Sequence, residues 1–266
     1  MEHQIRKYPR TRHVRGSRLQ HGDHDLEAVP WSELEGKNLV VEEKMDGANC
    51  GISFSEDGRL LLQSRGHYLR GGPREKQFNL FKQWASSRQE EFFCALGSRY
   101  VMYGEWLFAK HTFFYDALPH YFMEFDILDT QEGSFLDTHR RAALLAAADV
   151  NVTPVKVLYE GTVASVDALA KMVTRSHFIT DDRVINFSNA ARMSGVAAAD
   201  GWRHTDPSTD MEGLYVKWEE DGVVKGRYKY VRDSFTSSIL DQDEHWVDRP
   251  IIQNQLMPGA FEKMFL

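Results

Sequence analysis

Residues 40–50 read Val40-Val41-Glu42-Glu43-Lys44-Met45-Asp46-Gly47-Ala48-Asn49-Cys50. The two valines mark the end of a buried strand, Asp46-Gly47 a sharp turn, and a lysine stands between them. Side chains alternate faces along a strand, so Glu43 points away from Lys44 while Glu42 shares its face. Taken alone, a lysine before a turn is an ordinary surface residue. Its neighbours in the chain decide whether it is more than that.

Working outward, strands and hairpins dominate. Residues 50–54 and 59–64 pair about Ser55-Glu56-Asp57-Gly58, Asp-Gly being a strong short hairpin signal. Residues 68–73 form a glycine-rich loop. The spacing of Phe78, Phe81, Trp84, Phe92, Phe93 and Leu96 predicts a helix over 74–96, stopped by Gly97. Strands are expected at 100–108 and 121–128, on either side of an aromatic-rich connection. Asp137-Thr138 caps a helix to about 149, and Ser165 caps another to about 176. Residues 181–210 read as weakly patterned helix and loop. Asp221-Gly222 joins strands at 213–218 and 223–231 as a second hairpin, and a short helix is expected at 234–246. The pattern is α+β: antiparallel sheets with flanking helices. It divides into a basic arm over 1–35 packed on the rest, a main domain over 36–240 and a short tail over 241–266.

Composition narrows the function. The 266 residues, 42% of them hydrophobic, are enough for a sizeable core. No apolar run reaches the roughly 18 residues of a membrane span and no signal-peptide core is seen, so the chain reads as soluble, without a membrane partner. Cys50 and Cys94 have neither metal nor disulfide spacing, which makes a reducing, cytoplasmic compartment the default. A net charge of −7 argues against a surface covered in phosphate-binding residues. Yet Arg6, Lys7, Arg10, Arg12, Arg15 and Arg18 crowd the start of the chain against Glu2 alone. That asymmetry fits either a local anionic partner or a solvated basic arm.

Six short motifs follow one another: Glu43-Lys44-Met45-Asp46-Gly47-Ala48-Asn49, Ser64-Arg65-Gly66, Tyr103-Gly104-Glu105, Phe122-Met123-Glu124-Phe125-Asp126, Glu212-Gly213-Leu214-Tyr215-Val216-Lys217 and Arg227-Tyr228-Lys229-Tyr230-Val231-Arg232. In this order, over about residues 40–235, they resemble the motifs of the covalent nucleotidyltransferases, the superfamily of polynucleotide ligases and mRNA capping enzymes. Within it the chain is most similar to the RNA ligase 2 family, whose lysine motif Glu-Lys-x-x-Gly-x-Asn is matched by Glu43, Lys44, Gly47 and Asn49. The resemblance implies a nucleotidyltransferase domain (an ATP-grasp-like ligase fold) and an ATP-dependent RNA ligase using Mg²⁺ or Mn²⁺. Lys44 would attack the α-phosphorus of ATP and hold AMP as a phosphoramidate. AMP would then pass to a 5′-phosphate, and a 3′-hydroxyl would displace it to seal the strand.

The resemblance also distributes roles. Glu43 would meet the adenine edge, Phe125 would stack on the base, and Asn49 and Arg65 would lie around the sugar and phosphates. Glu105 and Glu212 would take a ribose hydroxyl and the metal or its waters, hard oxygen ligands that suit Mg²⁺. Lys217 and Lys229 would neutralise charge as pyrophosphate leaves. The family often has a second basic residue two positions after the last motif's lysine; here that position is Val231, leaving Arg227 or Arg232 to compensate. In the arm, Arg10 and Arg12, with His13, Arg15 and Arg18, are the candidates for gripping a terminal phosphate. His111, His120 and His204 show no metal spacing and read as structural.

Elementary electrostatics is consistent with a lysine nucleophile. The amine must be neutral, and bringing its ordinary pKa of about 10.4 to roughly 7–8 takes about 3–4 kcal/mol. One cation about 4 Å away supplies about 4 kcal/mol at an effective dielectric of about 20. Arg65, Lys217, Lys229 and the metal are the expected sources, provided Glu42 and Glu43 do not cancel them. Rival readings are a DNA ligase, a GTP-dependent capping guanylyltransferase and an inactive nucleic-acid-binding relative. Only 34 or so residues follow the last motif, too few for a full C-terminal OB domain. This favours a nearly bare catalytic domain, with an end-healing kinase or phosphatase as a possible partner.

Overall fold

The structure, a computed structural model, describes residues 4–19, 27–235 and 250–265. In chain order, β1 (Arg12–His13) is followed by β2 (Leu39–Glu43), β3 (Ala48–Phe54) and β4 (Leu60–Ser64). Helices α1 (Asn79–Ser87) and α2 (Gln89–Leu96) lead into β5 (Tyr100–Trp106), β6 (Phe122–Asp129) and β7 (Ser134–Phe135). Next come α3 (Thr138–Ala147), β8 (Val157–Gly161), α4 (Val166–Ala170), α5 (Arg183–Met193) and α6 (Ala198–Arg203). The hairpin β9 (Gly213–Glu220) and β10 (Val223–Val231) and the short α7 (Ala260–Lys263) complete the described elements. Among these residues the strands form two five-stranded sheets, ordered β1-β10-β9-β2-β8 and β4-β3-β5-β6-β7. β1 pairs with β10 in parallel, and the other strands pair antiparallel. This is the α+β architecture expected from the sequence.

The lysine stretch is the crossing between the sheets: β2 belongs to the first and β3 to the second. A chain making that step has backbone groups that no ladder satisfies. Here Lys44 N donates to Gly213 O (3.0 Å), Asp46 N to the Tyr115 hydroxyl (2.9 Å) and Gly47 N to Glu105 Oε1 (3.1 Å). Gly47 is required by crowding, since a Cβ there would lie 2.8 Å from both Leu107 Cδ2 and Trp106 O.

Both hairpins form, and Asp221 (φ 54°) with Gly222 (φ 78°) adopts the left-handed pair of a primed turn. Other expectations need correction. The helix over 74–96 is instead a 3-10 segment at Pro73–Phe78, then α1 and α2 with a break at Arg88 (φ −112°, ψ 20°). There Ser87 Oγ folds back onto Trp84 O (2.8 Å), a side-chain bond that competes with the helical ladder. Ser165 caps α4 through Ala168 N, but the helix ends at Ala170, because Ser176 is drawn off to Thr209 O and the Glu43 carboxylate. β5 stops at Trp106, two residues before the expected 108. Residues 181–210 hold α5 and α6, and β1 and β8 were not expected at all: β1 is two residues long and β8 is mostly exposed. Residues 236–246 of the helix expected at 234–246 lie outside the described residues.

Apolar packing falls mainly into two clusters. One surrounds Phe81, Trp84, Trp106 and Phe122 on the second sheet; the other gathers Val14, Leu34, Val41, Leu169 and Val216 on the first. Where the sheets face each other, a buried ionic seam runs beside the rings of Tyr8, Phe125 and Tyr215. Glu42 of β2 accepts from Lys217 of β9 (2.9 Å) and Arg141 of α3 (3.3 Å), and Arg141 also donates to Glu124 of β6 (2.7 Å). Asp126 of β6 accepts from Arg227 of β10 (2.8 Å), with Lys217 Nζ at 3.5 Å. Burial alone would raise the Asp126 pKa, but Lys217 and Arg227 outweigh it and hold the carboxyl below its ordinary value.

Removing one partner from such a seam leaves buried charge uncompensated. Arg141→Leu should therefore cost about 3–5 kcal/mol of stability, measured by urea unfolding. A second outcome concerns pH. His120 packs on Trp84 (ring centroids 4.8 Å apart), and burial lowers its pKa to about 4. The unfolded chain takes up that proton near pH 6.5, so stability should fall as pH drops from about 6.5 towards 4. His120→Gln should flatten the fall, read as denaturant midpoints at the two ends of that window.

Candidate active site

Lys44 reaches into a cavity of about 560 Å³, within the size range of small-molecule sites. Its side chain is 20% exposed, and Nζ lies 2.7 Å from Glu212 Oε1. Burial favours the neutral amine, but the Glu212, Glu105 and Asp46 carboxylates prevail and raise the Lys44 pKa above its ordinary value. This corrects the expectation that cations around the lysine depress it. Glu42, which shares the strand face of Lys44, is engaged by Arg141 and Lys217 instead.

Two of the three carboxylates are fixed by the crossing. Asp46 Oδ2 accepts from Thr112 N (2.7 Å) and Phe113 N (2.6 Å), and Glu105 Oε1 from Gly47 N. Burial pushes the Glu105 carboxyl up to about 8, against the pull of Lys44 and with help from Glu212 and Asp46. With its carboxyl at about 8, Glu105 is largely protonated at neutral pH, and the ion pair of the site is Lys44 with Glu212.

Of the residues singled out from sequence, Glu43, Lys44, Asn49, Arg65, Glu105, Phe125 and Lys229 line the cavity. Phe125 forms part of the wall, edge-on to Tyr8 (5.2 Å) and 6.2 Å from Tyr215. Arg65 is exposed at the lining, and Lys229 reaches in from β10. The Glu43 carboxylate is buried and taken by Ser176 Oγ (2.6 Å) and His177 Nδ1 (2.9 Å), so it ties the 176–177 loop to β2. Glu212 joins the site through Lys44 and is not itself in the lining.

The remaining candidates lie outside the lining. Lys217 is fully buried, with Nζ on Glu42 and the Phe125 carbonyl. Arg227 bonds Asp126 and covers the Phe135 ring at 3.6 Å. Arg232 donates to Met211 O and pairs with Asp206 (2.9 Å). In the arm, Pro9 and Thr11 line the cavity, whereas Arg10 and Arg12 do not; Arg12 pairs with Glu33 (3.2 Å). His13 is buried on Ser17 Oγ (2.7 Å).

Sequence reasoning missed several wall residues: Tyr8, Thr11, His67 and Tyr215. His111, taken as structural, is also in the lining, and burial lowers its pKa to about 4. Tyr215 was within reach of strand periodicity, since it shares a face with Lys217. Tyr8 carried no local signal: its hydroxyl bonds Asp126, 118 residues away, and Tyr215.

The donors fit a nucleotide and a divalent cation. Asn49 Oδ1 is buried in the cavity region without a hydrogen-bond partner, a feature that a ligand hydroxyl or amine would resolve. Among the described residues no three His, Cys, Asp or Glu side chains stand together as a metal cage. A hard cation would therefore rest on Glu105 or Glu212 and complete its shell with water and phosphate oxygens, the usual mode for Mg²⁺.

Comparison with known proteins follows the same direction. The model of the RNA ligase family matches residues 37–231. Comparison with curated proteins gives no match. Among solved structures, a variant of the Naegleria gruberi RNA ligase with AMP and Mn is similar at TM-score 0.53 and 17% identity, covering 86% of this chain and 56% of that one. A second variant of that enzyme, also with AMP and Mn, gives TM-score 0.51 and 18% identity over 76% and 52%. At such identities the likeness concerns the fold, and the chain spans about half the length of the ligases it matches. With the lysine crossing inside the matched span and the match covering most of its length, this chain belongs to the RNA ligase family.

Proposed function

We propose that the chain is an ATP-dependent RNA ligase that carries AMP on Lys44. The observation that supports this most directly is the position of Lys44: on a sheet-to-sheet crossing, facing a nucleotide-sized cavity, its amine 2.7 Å from Glu212. The Naegleria structures hold AMP and Mn, and the cavity here has the chemistry to take the same class of ligand. Phe125 offers a flat face to the base, and Asn49 a free acceptor to the sugar or phosphates.

In the first step Lys44 Nζ attacks the α-phosphorus, a P–N bond forms, and the P–O bond to pyrophosphate breaks. The resting amine is held as ammonium, so a proton must leave first, and Glu212 Oε1 is the nearest acceptor. A divalent cation, when bound, would supply positive charge that screens the phosphates and the Glu105 and Glu212 carboxyls. Lys229 and Arg65 are the chain's own cations in the lining and would meet the phosphates. Lys217 acts behind the wall, holding the Phe125 carbonyl and hence the base platform. AMP then passes from Lys44 to a 5′-phosphorylated RNA end, and a 3′-hydroxyl displaces it.

With α-labelled ATP and Mg²⁺, the wild-type protein should acquire label. Lys44→Ala should fall to background while remaining folded, as read by circular dichroism. Full labelling of the Lys44→Ala protein would refute the assignment. A GMP adduct in place of AMP would point to a capping-type reaction. Sealing of matched nicked RNA, DNA and hybrid duplexes should favour RNA strands.

A further inference from the structure

We infer that segment 250–257 is a working part of the lysine site and that Asn254 is the residue through which it positions Lys44; the inference rests on the ligase reading above. It starts from the connection at 107–118, which follows β5 and has no helix or ladder of its own. One side of this connection clasps the crossing: Thr112 N and Phe113 N bind Asp46 Oδ2, and the Tyr115 hydroxyl accepts from Asp46 N. Asp46 is two residues from Lys44, so the shape of the connection sets where the amine points.

The backbone on its other side is satisfied by segment 250–257. Lys110 N donates to Ile252 O (2.8 Å), Asn254 N to Phe108 O (2.9 Å), Gln255 N to Tyr115 O (2.9 Å) and Met257 N to Leu118 O (2.8 Å). Asn254 is fully buried at the centre of this strip. Its Oδ1 accepts from Tyr115 N (3.0 Å), its Nδ2 donates to Leu107 O (2.8 Å), and its carbonyl accepts from the Tyr121 hydroxyl (2.8 Å). One amide therefore spans Leu107, the residue pressed against Gly47, and Tyr115, the residue that holds Asp46. A buried irregular connection keeps one shape only if its polar backbone is paired. Here that pairing comes from a segment more than 130 residues further along the chain.

The consequence is selective. The end of the cavity assigned to the base is built by Phe125, Tyr8 and Tyr215, and these hydrogen bonds of the strip go instead to the 107–118 connection and Tyr121. Loosening the strip should misalign Lys44 while sparing nucleotide binding. The experiment is single-turnover AMP transfer onto Lys44 at varied ATP, using full-length protein. Asn254→Ala should lower the maximal rate by about 10–100-fold, the scale of a misplaced reacting group. The half-saturating ATP concentration should stay within about threefold. Tyr115→Phe, which removes only the hydroxyl bonded to Asp46 N, should show the same split and decides the matter if Asn254→Ala does not fold. Ser188→Ala, which removes only a hydroxyl whose exposed hydrogen bond runs within α5 to Val184 O, should keep the wild-type rate. Wild-type rates in both Asn254→Ala and Tyr115→Phe, or rate and ATP affinity lost together, would overturn the inference. Absence of label on the wild-type protein would instead overturn the ligase reading on which it rests.

Discussion

A chain that passes from one sheet into another must do so without ladder partners, and in this protein that step carries the reactive amine. The crossing at Lys44–Gly47 is held from three directions. The carbonyl of Gly213 in β9, the Glu105 carboxylate in β5 and the 112–115 connection each take a backbone or side-chain group. Each support belongs to a different stretch of chain, so the amine's position is a property of the whole fold. Gly47 and Gly213 fit this picture, since a Cβ at either would collide with neighbouring backbone, in the second case at 2.0 Å from Tyr230 O.

The second structural theme is charge placed where apolar packing would be cheaper. Buried ion pairs contribute little net stability because desolvation offsets attraction. Their value here is directional: Glu42, Lys217 and Asp126 fix how β6 faces β2 and β9. That fixed angle orients the Phe125 wall relative to Lys44. The cluster around Lys44 follows a different logic, in which Glu212, Glu105 and Asp46 outweigh burial and keep the resting amine protonated. On the ligase reading, that proton must leave Lys44 before the amine becomes nucleophilic.

Much of this was legible in the sequence because the deciding signals are local. The Val-Val run, the Asp-Gly turns and the order of the lysine, Glu105, Phe125 and Glu212 motifs are short-range patterns; they located the α+β fold, and seven of the residues chosen with them line the cavity. What escaped depends on long-range proximity. Three carboxylates from positions 46, 105 and 212 converge on one amine, and no window of sequence reveals their sum. Lys217 reads as a phosphate ligand by motif, yet its partner Glu42 lies 175 residues away and takes its charge. The helix over 74–96 was overextended for a smaller reason: the apolar spacing continues through Arg88 even though the backbone does not.

The ionic seam has one further effect. The walls contributed by β2, β6 and β9 are braced from behind by buried ion pairs. Arg65 and His67, both exposed, sit on the turn after β4, where His67 meets Ser64 Oγ (2.9 Å) and the Glu75 carboxylate (4.0 Å). Substitution of an exposed rim residue such as Arg65 would therefore leave the buried ion pairs of the interior intact.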